Sequence, residues 1–295
     1  MRDAVICIPT FRRPRSLARL LDAIAALETN ADIAVLVADN DVEGHAGFDL
    51  ANARAAGFRF PLRAVIAPQR GIAQVRNTLI AEALKDDPRF LAMIDDDEWP
   101  DAHWIDAFLR AATETGAGVL QGSILFNHPA QADIVRASGP AAMLQGAGNL
   151  LIRRDVLEAT PQPWFDPAFA LSGGEDRDFF VRLQRAGVAF AWSDEARCFG
   201  EVPQSRATLS WMLARAYSIG NSDMRVLLKH RAGPMPRLAE CAKIAVVLAL
   251  AAPAALLLLA TSWRRWPLEK LCRAIGKLAA ICGSQHQEYA VIHGE

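Results

Sequence analysis

Four consecutive acidic residues, Asp95, Asp96, Asp97 and Glu98, follow the apolar run 90–94. Carboxylates this close together repel one another and are costly to desolvate without a counter-charge. A divalent cation such as Mg²⁺ or Mn²⁺ prefers oxygen ligands and can also hold the phosphates of a nucleotide. A solvated acidic turn is the alternative interpretation. The position after a predicted buried strand favours a ligand site, because α/β sheets bind ligands at the carboxyl ends of their strands.

Two further polar stretches could do chemistry. Arg70 and Arg76 lie at the start of a predicted helix that runs to about residue 84, where they could face an anion or be solvated. A turn at Gly173 and Gly174 leads into a second predicted helix, with Glu175 and Asp176 in its first turn. These acids either complement the helix dipole or supply a general base.

The elements that would position these side chains follow an α/β pattern. The apolar runs 4–8 and 33–38 predict buried strands on either side of a helix over 14–27, which is one βαβ unit with a parallel strand pair. Further predicted strands cover 62–67, 90–94, 118–126, 150–152 and 188–192. Helical patterns cover 101–114 and 205–220. The expected fold is therefore an α/β domain with a mostly parallel central sheet.

The composition excludes several classes of protein. The chain has 33 acidic and 32 basic residues, so no global charge favours nucleic acid as a partner. Its five cysteines are widely spaced, which argues against a zinc site or a disulfide framework and favours a reducing, cytosolic environment. No signal peptide, P-loop or complete G-x-G-x-x-G motif is recognised, and the six histidines are scattered.

With these motifs in order, the chain resembles the family 2 glycosyltransferases of the GT-A fold, and most of all the succinoglycan-type exopolysaccharide glucosyltransferases. The resemblance covers about residues 3–225. It is carried by five short motifs in the expected order. They are Ile-Pro-Thr-Phe-Arg-Arg at 8–13, Val-Ala-Asp-Asn-Asp at 37–41, Arg-Gly-Ile-Ala-Gln-Val-Arg-Asn at 70–77, Ile-Asp-Asp-Asp-Glu at 94–98 and Gly-Gly-Glu-Asp at 173–176.

The resemblance implies a donor site for a nucleotide sugar, expected to be a UDP-linked hexose. Six residues are expected to border the nucleotide and its diphosphate: Pro9, Thr10, Arg12, Asp39, Arg70 and Arg76. Among them, Asp39 is expected to accept a hydrogen bond from the base.

The resemblance also implies the reaction. Asp95 is expected to approach the ribose or the metal, and Asp97 to bind Mg²⁺ or Mn²⁺ at the diphosphate, with Asp96 and Glu98 supporting or solvated. Asp176 is expected to act as general base on the acceptor hydroxyl, with Glu175 beside it. One such base implies single displacement with inversion at the sugar carbon.

The spacing of Gln204, Arg206 and Trp211 departs from the Q-x-x-R-W signature of processive synthases, which favours a single-addition enzyme. A nucleotidyltransferase and a membrane-tethered nucleotide-sugar-binding protein without turnover are the alternative functions.

The C-terminal region predicts membrane association. Residues 244–262 contain no charge over 19 positions, which is close to the ~20 residues that span a bilayer. Trp263 and Trp266 would lie at the interface, but both flanks are basic, which disfavours a simple span. A re-entrant hairpin, an interfacial helix over 268–282 facing anionic lipid, and a core or dimer helix are all open. We expect a catalytic domain over 1–232 and a membrane-associated helical region over 233–295, at the cytoplasmic face of the inner membrane, acting on a lipid-linked or cell-envelope glycan.

Overall fold

The computed structural model describes residues 1–128, 131–231, 233–258, 261 and 264–287. These residues form two compact units. The first consists of the described part of Met1–Pro167 together with Phe179–Val202. The second consists of Ala168–Asp178 and the described part of Pro203–Ile292.

The first unit is built on one sheet, which has nine strands among the described residues. In chain order the strands are β1 (Arg2–Thr10), β2 (Ile33–Asp39), β3 (Leu62–Ile66), β4 (Pro88–Met93), β5 (Glu98–Pro100), β6 (Val119–Phe126), β7 (Gly139–Ala141), β8 (Leu150–Arg153) and β9 (Phe190–Gly200). Their order across the sheet is β3-β2-β1-β4-β8-β6-β9-β5, and β7 pairs with β9.

Nine α-helices are described in the two units. The first unit has α1 (Pro14–Ala25), α2 (Ala46–Ala55), α3 (Ile72–Ala83), α4 (Trp104–Thr115) and α5 (Arg154–Ala159). The division between the units falls within α6 (Glu175–Arg185). The second unit contains α7 (Leu209–His230), α8 (Pro234–Leu257) and α9 (Arg265–Ile281).

The sheet is mixed, which refines the prediction that it is mostly parallel. Strands β3, β2, β1 and β4 are parallel, and β6 is parallel to β9. Strand β8 is antiparallel to both of its neighbours, and β5 and β7 are antiparallel to β9. The predicted α/β class is confirmed. Apolar runs do not reveal strand direction, because an antiparallel strand that is buried on both faces reads like a parallel one.

Alternate residues of the central strands face two separate cores. In β1, Ala4, Ile6 and Ile8 pack with α1 and α4 on one face, whereas Val5 and Cys7 face the core formed with α3 and α6. Strands β2 and β4 divide in the same way. Because the middle residues of β1, β2 and β4 are apolar and buried on both faces, polar residues are found where these strands end, at the sheet edge.

The second unit is a packed group of three helices. Met224 of α7, Ile244 of α8 and Ala274 of α9 share a small apolar core. Gly220 of α7 and Gly276 of α9 lie against the backbone of the facing helix, so closely that a Cβ atom at either glycine would overlap it. The two helices can therefore cross only because both positions lack a side chain.

Three sequence predictions differ from the structure. The helix predicted over 205–220 begins at Leu209, after a 3₁₀ turn at Gln204–Ala207, and continues to His230. The strand predicted at 188–192 begins at Phe190 and extends to Gly200, where it pairs with the unpredicted strand β5. In the uncharged segment 244–262, helix α8 ends at Leu257. Residues 259, 260, 262 and 263, including the predicted interfacial Trp263, lie outside the described residues.

Candidate functional site

Three neighbouring strands bring polar side chains to one edge of the sheet. Thr10 at the end of β1 pairs in register with Asp39 at the end of β2. Cys7 pairs with Met93 of β4, so Asp95 and Asp96, which follow β4, reach the level of Thr10. Parallel strands end at a common edge, which explains why residues far apart in sequence converge there.

Asp96 is a buried anchor of this edge. Its carboxylate accepts a hydrogen bond from Thr10 Oγ1 at 2.8 Å and one from Arg13 Nη1 at 3.1 Å. The same Arg13 nitrogen donates to Asp97 Oδ2 at 2.9 Å. Burial raises the pKa of Asp96 to about 7, with a further contribution from Asp97, whereas Arg13 opposes the rise. The alternative that Asp96 is solvated is wrong, because its side chain has almost no exposed surface.

Asp95 is paired with the arginine that the sequence placed near the donor. Arg76 Nη2 lies 3.3 Å from Asp95 Oδ1, and the guanidinium lies 5.7 Å from the centre of the Phe165 ring. Arg76 is buried, so the alternative that it is a solvated arginine is wrong. Burial raises the pKa of Asp95, and Arg76 only partly offsets this. One third of the Asp95 side chain remains exposed, which leaves it accessible to a ligand.

Glu98 is also buried rather than solvated, and its Oε2 has no hydrogen-bond partner among the residues that the structure describes. Burial raises the pKa of this carboxyl well above its usual value, and the charges of Asp95 and Asp97 add to the effect. Gly148, just before β8, lies next to the same acids. A Cβ atom at this glycine would lie 2.7 Å from Glu98 Oε1 and 3.3 Å from Asp95 Oδ2. The structure therefore leaves room beside these carboxylates that a side chain would fill.

The chemistry of this cluster fits a hard divalent cation. Burial and mutual repulsion raise the pKa values of Asp95, Asp96 and Glu98, and a cation would relieve that repulsion. Among the described residues, however, no group of three or more His, Cys, Asp or Glu side chains is arranged as a complete metal site. Mg²⁺ is usually held by one or two carboxylates together with phosphates and water. The residues therefore suit a cation that binds together with a phosphate ligand.

Asp39 organises the backbone around the sheet edge. Its Oδ1 accepts from the backbone N–H of Asp41 at 2.9 Å, and its Oδ2 accepts from Gly47 at 2.8 Å and Phe48 at 3.0 Å. The side chain is completely buried. Asp39 thus caps the first turn of α2, a use of carboxylates that complements the helix dipole.

Asn40 holds the neighbouring loop. Its side-chain amide donates to the carbonyl oxygens of Ala67 and Gln69 at 3.1 and 2.7 Å, and its Oδ1 accepts from the N–H of Gly71 at 2.7 Å. This loop carries Arg70. The position of Arg70 therefore depends on a residue at the end of β2.

An aromatic ring lies between the two exposed arginines of the site. The guanidinium carbons of Arg12 and Arg70 lie 5.2 and 5.4 Å from the centre of the Phe11 ring. Arg12 also forms a two-bond pair with Asp41, at 2.9 and 3.0 Å. The Arg12 guanidinium lowers the pKa of the Asp41 carboxyl. Arg12 has a left-handed backbone (φ 55°), which directs its side chain to Asp41 while that of Arg13 reaches Asp96.

Glu175 and Asp176 belong to the second unit. Glu175 is buried, and Asp176 is partly exposed at the first turn of α6, where its Oδ1 accepts from the N–H of Arg177 at 2.6 Å. Gly173 and Gly174 both have positive φ (72° and 94°), which confirms that a tight turn precedes the acids.

One face of α7 clamps the loop that carries these acids. Ser222 Oγ donates to the carbonyl of Ser172 at 3.0 Å, and Arg225 donates to the carbonyl of Ala168 at 2.8 Å. The fully buried Asp178 lies 2.6 Å from Lys229 Nζ and 2.7 Å from His230 Nε2. Residues 222, 225 and 229 recur at helical spacing and therefore share a face.

The structure thus brings Pro9, Thr10, Arg76, Asp95 and Asp97 to one edge of the sheet, with Arg12, Asp39 and Arg70 on the adjoining loops. Glu175 and Asp176 are in the other unit. Residue types and spacing did not identify Arg13, Asn40 or Gly148 as members of the site. Of these three residues, only Arg13 could have been suggested by its position in the sequence, because it directly follows Arg12, a predicted donor-site residue. Gly148 can be recognised as part of the site only from its contact with Glu98 in the structure.

Comparison with known proteins places this arrangement in a family. The family model for glycosyl transferase family 2 matches residues 5–164, which is more than half of the chain. The chain belongs to glycosyl transferase family 2. It is also 32% identical over 248 residues to the succinoglycan biosynthesis protein ExoM of Rhizobium meliloti (strain 1021), covering 78% of this chain and 76% of that protein.

Solved structures of other glycosyltransferases share the fold of this family 2 enzyme. The mannosyltransferase PcManGT from Pyrobaculum calidifontis, in complex with GDP-Man and Mn²⁺, superposes with a TM-score of 0.64 at 16% identity, covering 97% of this chain and 90% of that one. S. aureus TarS 1-349 superposes with a TM-score of 0.58 at 13% identity, covering 96% and 92%. The predicted GT-A fold is confirmed, and family membership favours glycosyl transfer over the two alternative functions.

Proposed function

We propose that this glycosyltransferase moves a sugar, expected to be a hexose from a UDP-sugar, onto a lipid-linked or cell-envelope glycan during polysaccharide biosynthesis. The succinoglycan biosynthesis protein supports the polysaccharide role. S. aureus TarS, which has the same fold, is known in complex with UDP-GlcNAc and with UDP. The observation that carries the proposal is the convergence of carboxylates and arginines at the ends of β1, β2 and β4.

The donor end of the site contains both signs of charge. Arg70 is exposed on a loop that Asn40 fixes, and Arg76 is buried against Asp95. Fixed arginines stabilise the negative charge that grows on a departing diphosphate without having to reorganise during the reaction. Phe11, between Arg12 and Arg70, offers an apolar surface to a nucleotide base. Pro9 and Thr10 border the same edge, and Asp39 holds the adjoining backbone. The family resemblance implies that Asp39 also accepts a hydrogen bond from the base.

Asp95 and Asp97 would hold Mg²⁺ or Mn²⁺. When bound, the cation would neutralise part of the charge on the donor diphosphate. Both acids pair with an arginine but are partly exposed, whereas Asp96 is buried under Thr10 and Arg13. The four acids therefore divide into two that are accessible to a ligand and two, Asp96 and Glu98, that are buried.

Asp176 would remove the proton from the acceptor hydroxyl as that oxygen attacks the sugar carbon. The carbon–oxygen bond to the diphosphate breaks at the same time, so the configuration at this carbon inverts. Glu175 is buried next to Asp176 and would position the acceptor or share the proton. The α7 clamp restrains the loop, and a base must be held within hydrogen-bond reach of the proton it accepts.

Replacement of the proposed base tests this mechanism. Asp176→Asn should lower kcat by at least ~10²-fold, the usual range for loss of a general base. Binding of UDP with Mn²⁺, measured by calorimetry, should not change. The matched control is Glu114→Gln, which alters an exposed carboxylate on α4 and should leave both quantities unchanged. A near-normal kcat in Asp176→Asn would exclude Asp176 as the base.

A second experiment tests the metal. Asp97→Ala should abolish the part of UDP binding that depends on Mn²⁺, because it removes an accessible oxygen ligand. Calorimetric titrations with Mn²⁺ and with EDTA separate that part from the rest. If UDP binds equally well with Mn²⁺ and with EDTA in the unmodified protein, donor binding is metal-independent.

We further propose that the C-terminal region holds the enzyme at the cytoplasmic face of the inner membrane. Within the described residues, α8 is the one helix with the length and apolar composition to cross a bilayer. Under this proposal the catalytic domain is 1–232 and the membrane-associated region is 233–295. Cell fractionation with salt and detergent washes tests it: release by low salt alone would contradict membrane anchoring.

A further inference from the structure

Helix α8 buries one narrow stripe of its surface. Glu240, Ile244, Ala251 and Ala255 are its buried residues, and they recur four and seven positions apart on one face. This stripe packs on α7 and α9, where Ile244 joins Met224 and Ala274. An ion pair of 3.0 Å between Lys277 of α9 and Glu240 closes one end of the contact.

The opposite face of α8 is apolar and exposed. Val246, Leu250, Leu256 and Leu257 expose between 59% and 82% of their surface. No charged residue interrupts the helix from Ile244 to its end at Leu257. An apolar stripe this long on a soluble surface is unusual and marks an interaction site.

Charge complementarity identifies the occupant of this face. Between residues 231 and 287 the chain has eight basic and two acidic residues, although the whole chain is nearly neutral. Trp266 at the start of α9 is 60% exposed, and aromatic residues of this kind concentrate at membrane–water interfaces. A basic segment beside an uncharged apolar stripe fits a bilayer that contains anionic lipid. A protein interface would carry polar groups at its rim.

The packing of α9 decides how α8 meets the bilayer. Helix α9 carries five charged residues: Arg265, Glu269, Lys270, Arg273 and Lys277. It is locked to α7 by the close crossing at Gly220 and Gly276 and by an ion pair between Arg273 and Asp223 at 2.5 Å. A spanning α8 would draw these charges into hydrocarbon or break the packing, and ionised side chains are costly there.

We propose that α8 lies in the plane of the membrane and inserts only its exposed apolar face into one leaflet. The helix then neither spans the bilayer nor forms a re-entrant hairpin. This inference rests on the membrane association proposed above and is independent of the chemistry of glycosyl transfer. It also places the loop with Asp176 in the same compact unit as the lipid-binding helix.

Flotation of the full chain with lipid vesicles tests the occupant. The unmodified protein should bind vesicles of phosphatidylcholine mixed with phosphatidylglycerol more tightly than vesicles of phosphatidylcholine alone. The double variant Leu250→Glu, Leu257→Glu should lose at least ~10²-fold in partitioning, because two apolar side chains no longer enter the hydrocarbon. The control Val42→Glu, Val135→Glu changes two exposed apolar residues of the first unit and should bind vesicles as the unmodified protein does.

Two outcomes would overturn the bilayer as occupant: no flotation of the unmodified protein, or unchanged flotation of the α8 double variant. Self-association of the unmodified protein that the double variant abolishes, without flotation, would show that a second copy covers the face. Turnover of UDP-sugar in detergent is measured on the same samples. Loss of vesicle binding with normal turnover therefore separates a failure of this inference from a failure of the proposed function.

Depth measurements test the orientation. Spin labels are attached to Val246→Cys and Leu257→Cys in a chain whose accessible cysteines, Cys241, Cys272 and Cys282, are serine. An in-plane helix should give equal depths at both labels. A spanning or re-entrant helix should separate them by up to ~16 Å, from a rise of ~1.5 Å per residue over the intervening turns. A depth difference of that size would overturn the in-plane orientation.

Discussion

Adding a single methyl group at Gly148 should lower catalytic activity much more than it lowers the stability of the fold. In Gly148→Ala the new Cβ would lie 2.7 Å from Glu98 Oε1 and 3.3 Å from Asp95 Oδ2. Ordinary carbon–oxygen contacts begin at 3.4 Å, so the Glu98 carboxylate must move by about 0.7 Å. Glu98 is buried beside Asp95 and Asp97, and its movement therefore displaces the acids that are proposed to hold the cation.

The size of this displacement determines how much activity the variant is expected to lose. Metal ligands must stay within ~0.2 Å of their preferred distances, and a displacement of ~1 Å in an active site can cost ~10²-fold in rate. We therefore expect Gly148→Ala to lower kcat/KM by about 10²-fold. The free energy of unfolding should fall by no more than about 1–3 kcal/mol, as for other overpacked positions.

Two other glycines of the same chain provide matched controls. A Cβ at Gly57 meets no atom within 4 Å. Gly57→Ala should therefore keep full activity and gain about 0.4–1 kcal/mol of stability, because the unfolded chain loses freedom. A Cβ at Gly122 would overlap the carbonyl oxygen of Ala196 and the side chain of Asn149. Gly122→Ala should lower stability by at least ~3 kcal/mol.

Urea denaturation and the release of UDP from UDP-sugar are measured for all three variants. The reasoning requires that Gly148→Ala loses activity while it loses less stability than Gly122→Ala does, and that Gly57→Ala loses neither. Full activity in Gly148→Ala would refute the inference that the space beside Glu98 belongs to the active site. A loss of stability as large as that of Gly122→Ala would show that Gly148 serves folding instead.

Three further predictions concern side chains that hold the two units in shape. Asp39→Ala leaves three backbone N–H groups without their acceptor. It should lower the free energy of unfolding, measured in urea, by about 3 kcal/mol. A loss below ~1 kcal/mol would show that water replaces the carboxylate. Arg13→Met leaves Asp96 and Asp97 without a shared counter-charge. It should lower the free energy of unfolding by about 3 kcal/mol in EDTA but by less in Mn²⁺. Equal losses of stability in both solutions would contradict a cation at these acids. Lys229→Met loosens the buried Asp178 and should lower kcat several-fold while UDP binding with Mn²⁺ stays normal, and the charge-preserving Lys229→Arg should recover part of the rate.

Much of the first unit was predictable from residue patterns. The apolar runs that became β1, β2 and β4 were uninterrupted, so burial on both faces could be inferred from sequence. Strands β3, β6 and β8 were also predicted, from shorter or interrupted apolar runs. Helices α1, α3 and α4 had clear apolar periodicity. Strand β5 was missed because it begins at the last residue of the acid cluster, and its three residues form a strand only through pairing with β9. Propensity contains no information about such distant partners.

The acid cluster shows a second limit of sequence reasoning. Four adjacent carboxylates indicate repulsion and a possible cation, but not which of them is buried. Asp96 is buried because Thr10 and Arg13 reach it from β1 and from the start of α1. Glu98 is buried because β5 turns it toward Gly148. The accessible pair, Asp95 and Asp97, follows from these contacts.

By itself, the sequence determined the α/β class, the family resemblance, and the residues that gather at the carboxyl ends of β1, β2 and β4, because parallel strands must end at a common edge. Only the tertiary structure decided three other features. It made Asp39 a buried cap for α2. It attached the loop with Asp176 to α7 through Arg225, and it left one face of α8 uncovered by the other described residues. Each of these depends on contacts between residues far apart in the chain, and local patterns do not encode such contacts.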